Sequence, residues 1–335
     1  MKTPTSTLKT ILFLVFLLSF WMSAQSQVYK TDEPFAHTFS IVARDANTGE
    51  MAVGVQSHWF SVGSIVSWGK SGVGVVATQS FVNPAYGPEG LKLMESGLSP
   101  EEALNQLLNE DPGKAVRQVA FLNTSGKVAV HTGASCIAHA GHAFGVDYSV
   151  QANMMLTDRV VAAMEEAFTN NPQLPLAERV VGVLKAAQLA GGDIRGKQSA
   201  ALLVVGPNLV DNPWEDKRID LRVDDHSTPI EELARLLTVH RAYEYMNQGD
   251  LDVEHGDMKA ALKSYGKAEA LFPENLEMKY WKAVALASNG KLEEALPIFK
   301  VVFDKDENWR ELTRRLPAAG LLQLEKNQMA KILSL

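Results

Sequence analysis

The chain has 335 residues, of which 46% are apolar and 21% charged, with a formal net charge of −7. A single hydrophobic core usually stops growing below this length, so two domains are expected, and the apolar share excludes a largely disordered protein. Basic residues never occur in runs longer than two. Together with the acidic balance, this argues against a nucleic-acid-binding surface.

The segment from Met1 to Ser26 has the pattern of a secretory signal peptide. Lys2 and Lys9 precede an apolar run at 11–22, and small residues follow up to Ser26. The run is shorter than the roughly 20 residues that a membrane-spanning helix needs, so no stable membrane span is expected. We predict cleavage after Ser26, a linker at 27–36, and a periplasmic or secreted protein.

Cys136 is the single cysteine of the sequence, so export brings no intramolecular disulfide. A nucleophilic thiol with His139 near it is one interpretation. A small buried side chain is the commoner role of such a cysteine, and we favour it.

Hydrophobic periodicity predicts an α+β domain at 37–245. Alternation over 38–55 around a turn at Asn47 predicts a β-hairpin, and Ser99 is predicted to cap a helix that begins with Pro100. Further strands are predicted at 72–78, 118–122, 127–132, 200–205 and 219–223, and pairs of helices at 86–108 and 150–190. This order favours a sheet sandwich covered by helices over a doubly wound parallel sheet.

The tail repeats itself with the period of tetratricopeptide repeats, which is about 34 residues. The matching positions are Gly256 and Gly290, Ala261 and Ala295, Tyr265 and Phe299, and Ala268 and Val302. We therefore predict an all-α module of such repeats at 246–335, with a capping helix at 309–333. Modules of this kind bind proteins or peptides, so a protein partner is expected.

Four polar segments lie on predicted strand ends and loops, where a sheet scaffold places functional residues. They are residues 56–63, 78–87, 151–155 and 191–199. Together with 38–45 and 222–226, they resemble the signature stretches of the bacterial and archaeal family known as domain of unknown function 1028. The resemblance covers about 37 to 245.

That resemblance implies a four-layer αββα sandwich of the N-terminal-nucleophile hydrolase type. Some relatives carry a peptidoglycan-binding-like C-terminal segment, so it also implies cell-wall metabolism. The chemistry of the fold requires a Thr, Ser or Cys at the start of the first strand, where its own α-amine accepts the proton. Thr38 is the candidate. Signal cleavage leaves about a dozen residues before Thr38, so a second cleavage would be needed; otherwise Thr38 is an ordinary β-branched strand residue.

The other candidate residues come from the polar segments. Side-chain amides and hydroxyls can stabilise an oxyanion, and His58 can act as a general base, although turn formation, helix capping and pocket walls are equally compatible with these residues. The predicted catalytic residues are Thr38, His58, Ser80, Asn83 and Asn153. The predicted substrate-binding residues are Gln79, Tyr86, Arg195 and Gln198.

The sequence leaves three hypotheses open. The first is an exported amidohydrolase acting on a small-molecule or peptide amide, with cell-wall peptide as the expected substrate. The second is a non-catalytic ligand- or protein-binding module with a hydrolase-like fold. The third is a metal-dependent hydrolase using His58 and His226, although the histidine spacing matches no helical zinc motif. We expect no cofactor. Proteins of the implied fold commonly assemble, so a homo-oligomer is a further expectation.

Overall fold

The structure, a computed structural model, describes residues 35–335. The predicted signal peptide and residues 27–34 of the predicted linker lie outside the described residues. The described chain divides between Pro229 and Ile230 into two compact units. The first mixes sheets and helices, and the second is helical.

The first unit is built on two antiparallel sheets. The strands are β1 (Phe35–Ala36), β2 (Thr38–Arg44), β3 (Met51–Ser57), β4 (Ser67–Lys70), β5 (Gly74–Phe81), β6 (Arg117–Asn123), β7 (Val128–Thr132), β8 (Gly141–Gly145), β9 (Tyr148–Ala152), β10 (Ser199–Val205) and β11 (Lys217–Val223). One sheet has five strands, in the order β1-β5-β6-β7 with β4 also paired to β5; the other has six, in the order β11-β10-β3-β2-β9-β8.

Each sheet carries a pair of helices. The helices of this unit are α1 (Gly63–Val66), α2 (Tyr86–Glu95), α3 (Pro100–Glu110), α4 (Val160–Thr169) and α5 (Leu176–Leu189). Helices α2 and α3 pack on the five-stranded sheet, whereas α4 and α5 pack on the six-stranded one. As predicted, Ser99 caps α3: its hydroxyl accepts a hydrogen bond from the Glu102 N–H, and the Glu102 carboxylate accepts one from the Ser99 N–H.

Part of the layer between the two sheets is apolar. Val42 and Val53 of the six-stranded sheet and Val75 and Ala77 of the five-stranded sheet belong to one fully buried cluster. Cluster members on one strand are spaced two apart, as are Val53 and Val55 of β3 and Val75 and Ala77 of β5, so each of these strands turns one face inward. The predicted hairpin is thereby confirmed as β2 and β3, which pair from Thr38 with Ser57 to Arg44 with Met51.

One helix prediction was wrong at its start. Residues 150–159 were predicted to be helical, but β8 and β9 form a hairpin and α4 begins only at Val160. Strand β9 fills the place between β2 and β8 in the six-stranded sheet. Pairing with strands distant in sequence thus overrides the local helical spacing around Met154 and Met155.

The second unit confirms the repeat pattern. Its helices are α6 (Pro229–Glu254), α7 (Met258–Leu271), α8 (Leu276–Ser288), α9 (Leu292–Lys305), α10 (Asn308–Arg315) and α11 (Lys326–Leu333). Gly256 and Gly290 both have φ of 76°, and the paired positions Tyr265 and Phe299 are both buried. The equivalent helices α7 and α9 begin at the same offset from each other as these two glycines. The sequence-based boundary near residue 245 lies inside α6.

The predicted capping helix at 309–333 is divided into α10 and α11. The 3₁₀ turn Leu316–Ala319 contains Pro317 and is followed by Gly320, whose φ is 77°. A proline and a left-handed glycine both end regular helix, which explains the division. Among residues 35–335 no helix is both long and apolar enough to cross a membrane.

Helix α5 lies directly on strand β3, and a glycine makes that approach possible. A Cβ added at Gly54 would lie 2.3 Å from Val180 Cγ1 of α5. We expect Gly54→Ala to destabilise the protein by about 1–3 kcal/mol through overpacking. Gly182, on α5 itself, has no atom within 4 Å of an added Cβ. Gly182→Ala should therefore stabilise it by about 0.5–1 kcal/mol. Urea unfolding of both variants checks this prediction, and equal midpoints would contradict it.

Candidate active site

A polar layer continues the space between the sheets from the apolar cluster towards the end where β2 begins. Its side chains are 0% exposed. They are Thr38, Ser40, Gln79, Gln118, Ser149, Gln151 and Asn153. Buried polar groups destabilise a fold unless each finds a hydrogen-bond partner, and the side chains of this layer bond to one another.

One series of hydrogen bonds in this layer leads from the six-stranded to the five-stranded sheet. Ser149 Oγ donates to Gln151 Oε1 (2.9 Å), and Gln151 Nε2 donates to Ser40 Oγ (2.6 Å). Ser40 Oγ in turn donates to Gln79 Oε1 (2.6 Å) of β5. Ser40 Oγ accepts one hydrogen bond and donates the next, and this connected series holds the side chains in fixed orientations.

Gln118 of β6 is the meeting point of this network. Its Oε1 accepts from Gln79 Nε2 (2.7 Å) and from Asn153 Nδ2 (2.9 Å), and its Nε2 donates to the Ala152 carbonyl (2.9 Å). Gln79 Nε2 and the Asn153 backbone N–H also reach the Thr38 carbonyl, at 3.2 Å and 3.1 Å. The network therefore fixes the backbone at the start of β2.

The peptide bond between His37 and Thr38 is also fixed by hydrogen bonds to the His37 carbonyl. The His37 carbonyl accepts hydrogen bonds from Ser57 Oγ (2.6 Å) and from Arg195 Nη2 (2.8 Å). Asp193, whose side chain is 0% exposed, aligns the guanidinium through Nη2–Oδ2 and Nε–Oδ1 contacts of 2.7 Å and 3.1 Å. A cationic donor and a hydroxyl donor on one carbonyl oxygen polarise it and would stabilise negative charge on it.

The His37 side chain is buried beside this carbonyl, with 1% exposure. Its Nδ1 lies 2.8 Å from Asn153 Oδ1, and its ring meets the Phe81 ring edge-on at 5.4 Å. Burial lowers the pKa of His37 from its ordinary value; Arg195 also lowers it, while Asn153 and Asp193 act in the opposite direction. The folded chain therefore favours the neutral imidazole.

The segment before Thr38 belongs to the other sheet. Phe35 and Ala36 form β1, whose backbone pairs with Phe81 and Ser80 at the end of β5. The chain therefore crosses from the five-stranded to the six-stranded sheet at His37. In this uncleaved form the Thr38 nitrogen is part of a peptide bond and its side chain is fully buried.

Three of the four described residues that have positive φ and are not glycine lie at the same end of the sheets; the fourth is in the turn between β8 and β9 at the opposite end. Ser61, Ser80 and Met154 are the three, with φ values of 53°, 74° and 59°. The loops here are joined by backbone hydrogen bonds, such as Met154 N–H to the Ile137 carbonyl (2.8 Å) and Ile194 N–H to the Met154 carbonyl (3.1 Å). Left-handed residues outside glycine are uncommon and tend to occur at functional sites.

Ser80 combines this strain with burial. Its Oγ has no hydrogen-bond partner of ordinary geometry among the described residues. It lies near the Cys136 thiol, whose pKa burial raises while Ser80 and the Gly133 N–H lower it. Cys136 is half-buried and donates to the Arg117 carbonyl at 3.4 Å. A raised pKa disfavours the reactive thiolate.

The structure thus brings together Thr38, Gln79, Asn153 and Arg195 from the predicted set, with Ser80 next to them through β1. His58 and Gln198 lie at the rim: the His58 N–H donates to Asp193 Oδ2 (3.1 Å), and Gln198 Nε2 donates to Asp225 Oδ1 (3.3 Å). Both are placed by the loop that carries Asp193 and Arg195.

Two predicted residues have other contacts. Asn83 Oδ1 accepts from the Ala85 N–H at 3.1 Å, which is the turn-forming role weighed as its alternative. The Tyr86 hydroxyl donates to Asp111 Oδ2 at 3.0 Å, and its ring packs in an apolar cluster with α2 and α3. Burial and Asp111 raise the pKa of Tyr86. Neither residue joins the Gln118 network.

Sequence reasoning assigned no role to several members of the site. Ser57, Gln151 and Asp193 lie in the predicted polar segments without a role of their own, and His37, Ser40 and Gln118 lie outside those segments. The available signal was polar residues two apart on strands with both faces buried, as in Thr38 and Ser40. Among residues 35–335 there is no group of three or more His, Cys, Asp and Glu side chains arranged to hold a metal ion.

Comparison with known proteins identifies the chain. Residues 38–233, more than half of its length, match the family of unknown function DUF1028, and the chain belongs to that family. Residues 246–307 match a tetratricopeptide repeat. The first match contains Thr38, Gln118, Asn153 and Arg195, and it begins one residue after His37.

A solved structure is similar to the first unit. It is the crystal structure of protein SPO2555 from Silicibacter pomeroyi, which is also described as DUF1028. Sequence identity is 32%, the TM-score is 0.54, and the match covers 60% of this chain and 88% of that one. No curated protein matches the chain.

Because His37 is buried, we predict that the stability of the uncleaved chain depends on pH. Its pKa in the folded protein is below 6.5, so on acidification the unfolded chain takes up the proton first. The stability that neutral His37 supplies is present above about pH 6.5 and is lost as the pH falls towards the lower folded pKa. We expect urea midpoints measured between about pH 7.5 and 5 to fall less steeply for His37→Gln than for the wild type. Identical slopes would show that His37 is not buried as described.

Proposed function

We propose that the chain is an exported amidohydrolase of the N-terminal-nucleophile type, acting on peptide amide bonds such as those of the cell wall. In this proposal a second cleavage, between His37 and Thr38, makes Thr38 the first residue. The observation that carries the proposal is the His37 carbonyl, which precedes a buried threonine and accepts hydrogen bonds from Ser57 and from the Asp193-aligned Arg195.

The architecture is consistent with this proposal. Two facing sheets, each covered by a pair of helices, fit the four-layer αββα sandwich of that hydrolase type. The hairpin of β2 and β3 places Thr38 at the start of its strand, opposite Ser57. Export is supported by the signal-peptide pattern at 1–26, which would deliver the protein to the periplasm or the medium.

The chemistry uses groups that already lie together. With Thr38 at the N-terminus, its α-amine accepts the proton of its own hydroxyl while Oγ attacks the substrate's amide carbon. Ser57 Oγ and Arg195 Nη2 donate to the oxygen of the tetrahedral intermediate, in the place of the His37 carbonyl. The α-ammonium then protonates the leaving amine. Water hydrolyses the resulting ester and restores the Thr38 hydroxyl.

The alternative is a binding protein without catalysis, and one observation favours it. Thr38 is fully buried in the uncleaved chain, and β1 is paired in front of it. Without the second cleavage the hydroxyl has neither a free α-amine nor access to substrate. The helical repeats would then recruit a protein partner, since repeats of this kind commonly mediate protein interactions.

The N-terminus of the protein recovered from its host decides between these proposals. Intact mass and N-terminal sequencing should give a chain that begins at Thr38. The expected mechanism cannot operate otherwise, because the proton acceptor is the free amine of that residue. A mature chain beginning near Gln27 would refute the enzyme proposal and favour the binding protein.

Substitution of Thr38 tests the nucleophile directly. In protein whose cleavage at residue 38 has been verified, we expect Thr38→Ala to lower kcat/KM on cell-wall peptides by more than about a thousandfold, as loss of a nucleophile does. Thr38→Ser should retain measurable activity, because it keeps a hydroxyl beside the α-amine. Thr48→Ala, in the exposed turn of the first hairpin, is the matched control and should match the wild type. Undiminished activity of Thr38→Ala would exclude this nucleophile.

A further inference from the structure

The contacts of the residues that cleavage would remove indicate the chemistry of the substrate that would bind in their place. We propose that β1 and His37 occupy the substrate's acyl side, so that the site takes an extended peptide whose acyl residue carries a neutral, planar side chain with a hydrogen-bond donor. This inference rests on the proposed function, because only a cleaved chain has the space vacant. The inference concerns substrate specificity, whereas the proposed function concerns the mechanism of amide hydrolysis.

First, the side chain of His37 fills a buried space next to Thr38. His37 is 1% exposed, so its removal opens a cavity of imidazole size immediately before Thr38. The carbonyl of a residue placed there would meet Ser57 Oγ and Arg195 Nη2, as the His37 carbonyl does at 2.6 Å and 2.8 Å. The reacting carbonyl and the side-chain cavity therefore belong to one residue of the substrate.

The second step is the chemistry of the cavity wall. Asn153 Nδ2 donates to Gln118 Oε1, which turns Asn153 Oδ1 towards the His37 ring as an acceptor. A buried Asn153 Oδ1 without a donor would be unfavourable, so the cavity favours a substrate side chain that donates a hydrogen bond. The Phe81 ring lies edge-on at 5.4 Å, which suits a planar group. Burial disfavours a permanently charged side chain such as that of lysine.

The third step concerns the backbone. Ala36 and Phe35 pair with Ser80 and Phe81 of β5, while β4 pairs with the same strand at Gly74–Ala77. Release of β1 would open this part of the strand edge to another extended segment. An extended substrate segment can pair there by strand addition, with main-chain hydrogen bonds supplying affinity. Recognition of this kind needs at least two residues before the scissile bond, so the substrate is a peptide.

The test uses protein verified to begin at Thr38 and four fluorogenic aminocoumarin amides. They carry Phe-Ala-His, Phe-Ala-Leu, Phe-Ala-Lys and His alone. Leucine is the matched control, because it is of similar size but has no donor. We expect kcat/KM for Phe-Ala-His to exceed that for Phe-Ala-Leu and Phe-Ala-Lys by about tenfold or more, which is the value of one hydrogen bond to a buried group. We expect the single His amide to be about tenfold poorer than the tripeptide.

The outcomes separate this inference from the proposed function. Equal hydrolysis of the three tripeptides, or hydrolysis of cell-wall peptides with none of the tripeptides, overturns the assigned acyl side and leaves the Thr38 mechanism in place. A Thr38 chain that prefers the His tripeptide supports both. If the mature chain begins near Gln27, the proposed function fails and the inference fails with it. No variant is needed, so misfolding cannot imitate any of these results.

Discussion

The side chain of Gln118 joins the two sheets where their apolar contact ends. It accepts from Gln79 in its own sheet and from Asn153 at the end of the other, and it donates to the Ala152 carbonyl. Because every one of these groups is buried, a donor or acceptor left without any partner would cost about 1–3 kcal/mol. The position of Thr38 follows from this constraint, since Gln79 and Asn153 are the two residues that hold its carbonyl.

The two halves of the layer between the sheets therefore have different tasks. The valine cluster around Val42, Val53 and Val75 excludes water and supplies hydrophobic stabilisation in proportion to its buried area. The polar half adds little net stability, because its internal hydrogen bonds replace bonds to water in the unfolded chain. It supplies fixed orientation instead. The valine half stabilises the sandwich, and the Gln118 half holds the peptide between His37 and Thr38 in one geometry.

Local signals predicted the features that depend on neighbouring residues. The first hairpin, the Ser99 cap and the tetratricopeptide period all follow from short-range patterns, and the structure contains all three. The β8 and β9 hairpin was missed because its place between β2 and the sheet edge depends on distant pairing. The site was only partly predicted for the same reason. Arg195 was a candidate, but its partner, the His37 carbonyl, lies 158 positions away.

The distribution of strain gives an independent argument for where function lies. A left-handed conformation costs a residue other than glycine roughly 1–3 kcal/mol, and Ser61, Ser80 and Met154 all adopt it at the Thr38 end of the sheets. Ser80 adds a buried hydroxyl without an ordinary hydrogen bond among the described residues. Strain, buried amides and the aligned Arg195 therefore coincide at the Thr38 end of the sheets. Because backbone strain tends to cluster at functional sites, it supports the proposed location of the active site independently of the hydrogen bonds to the His37 carbonyl.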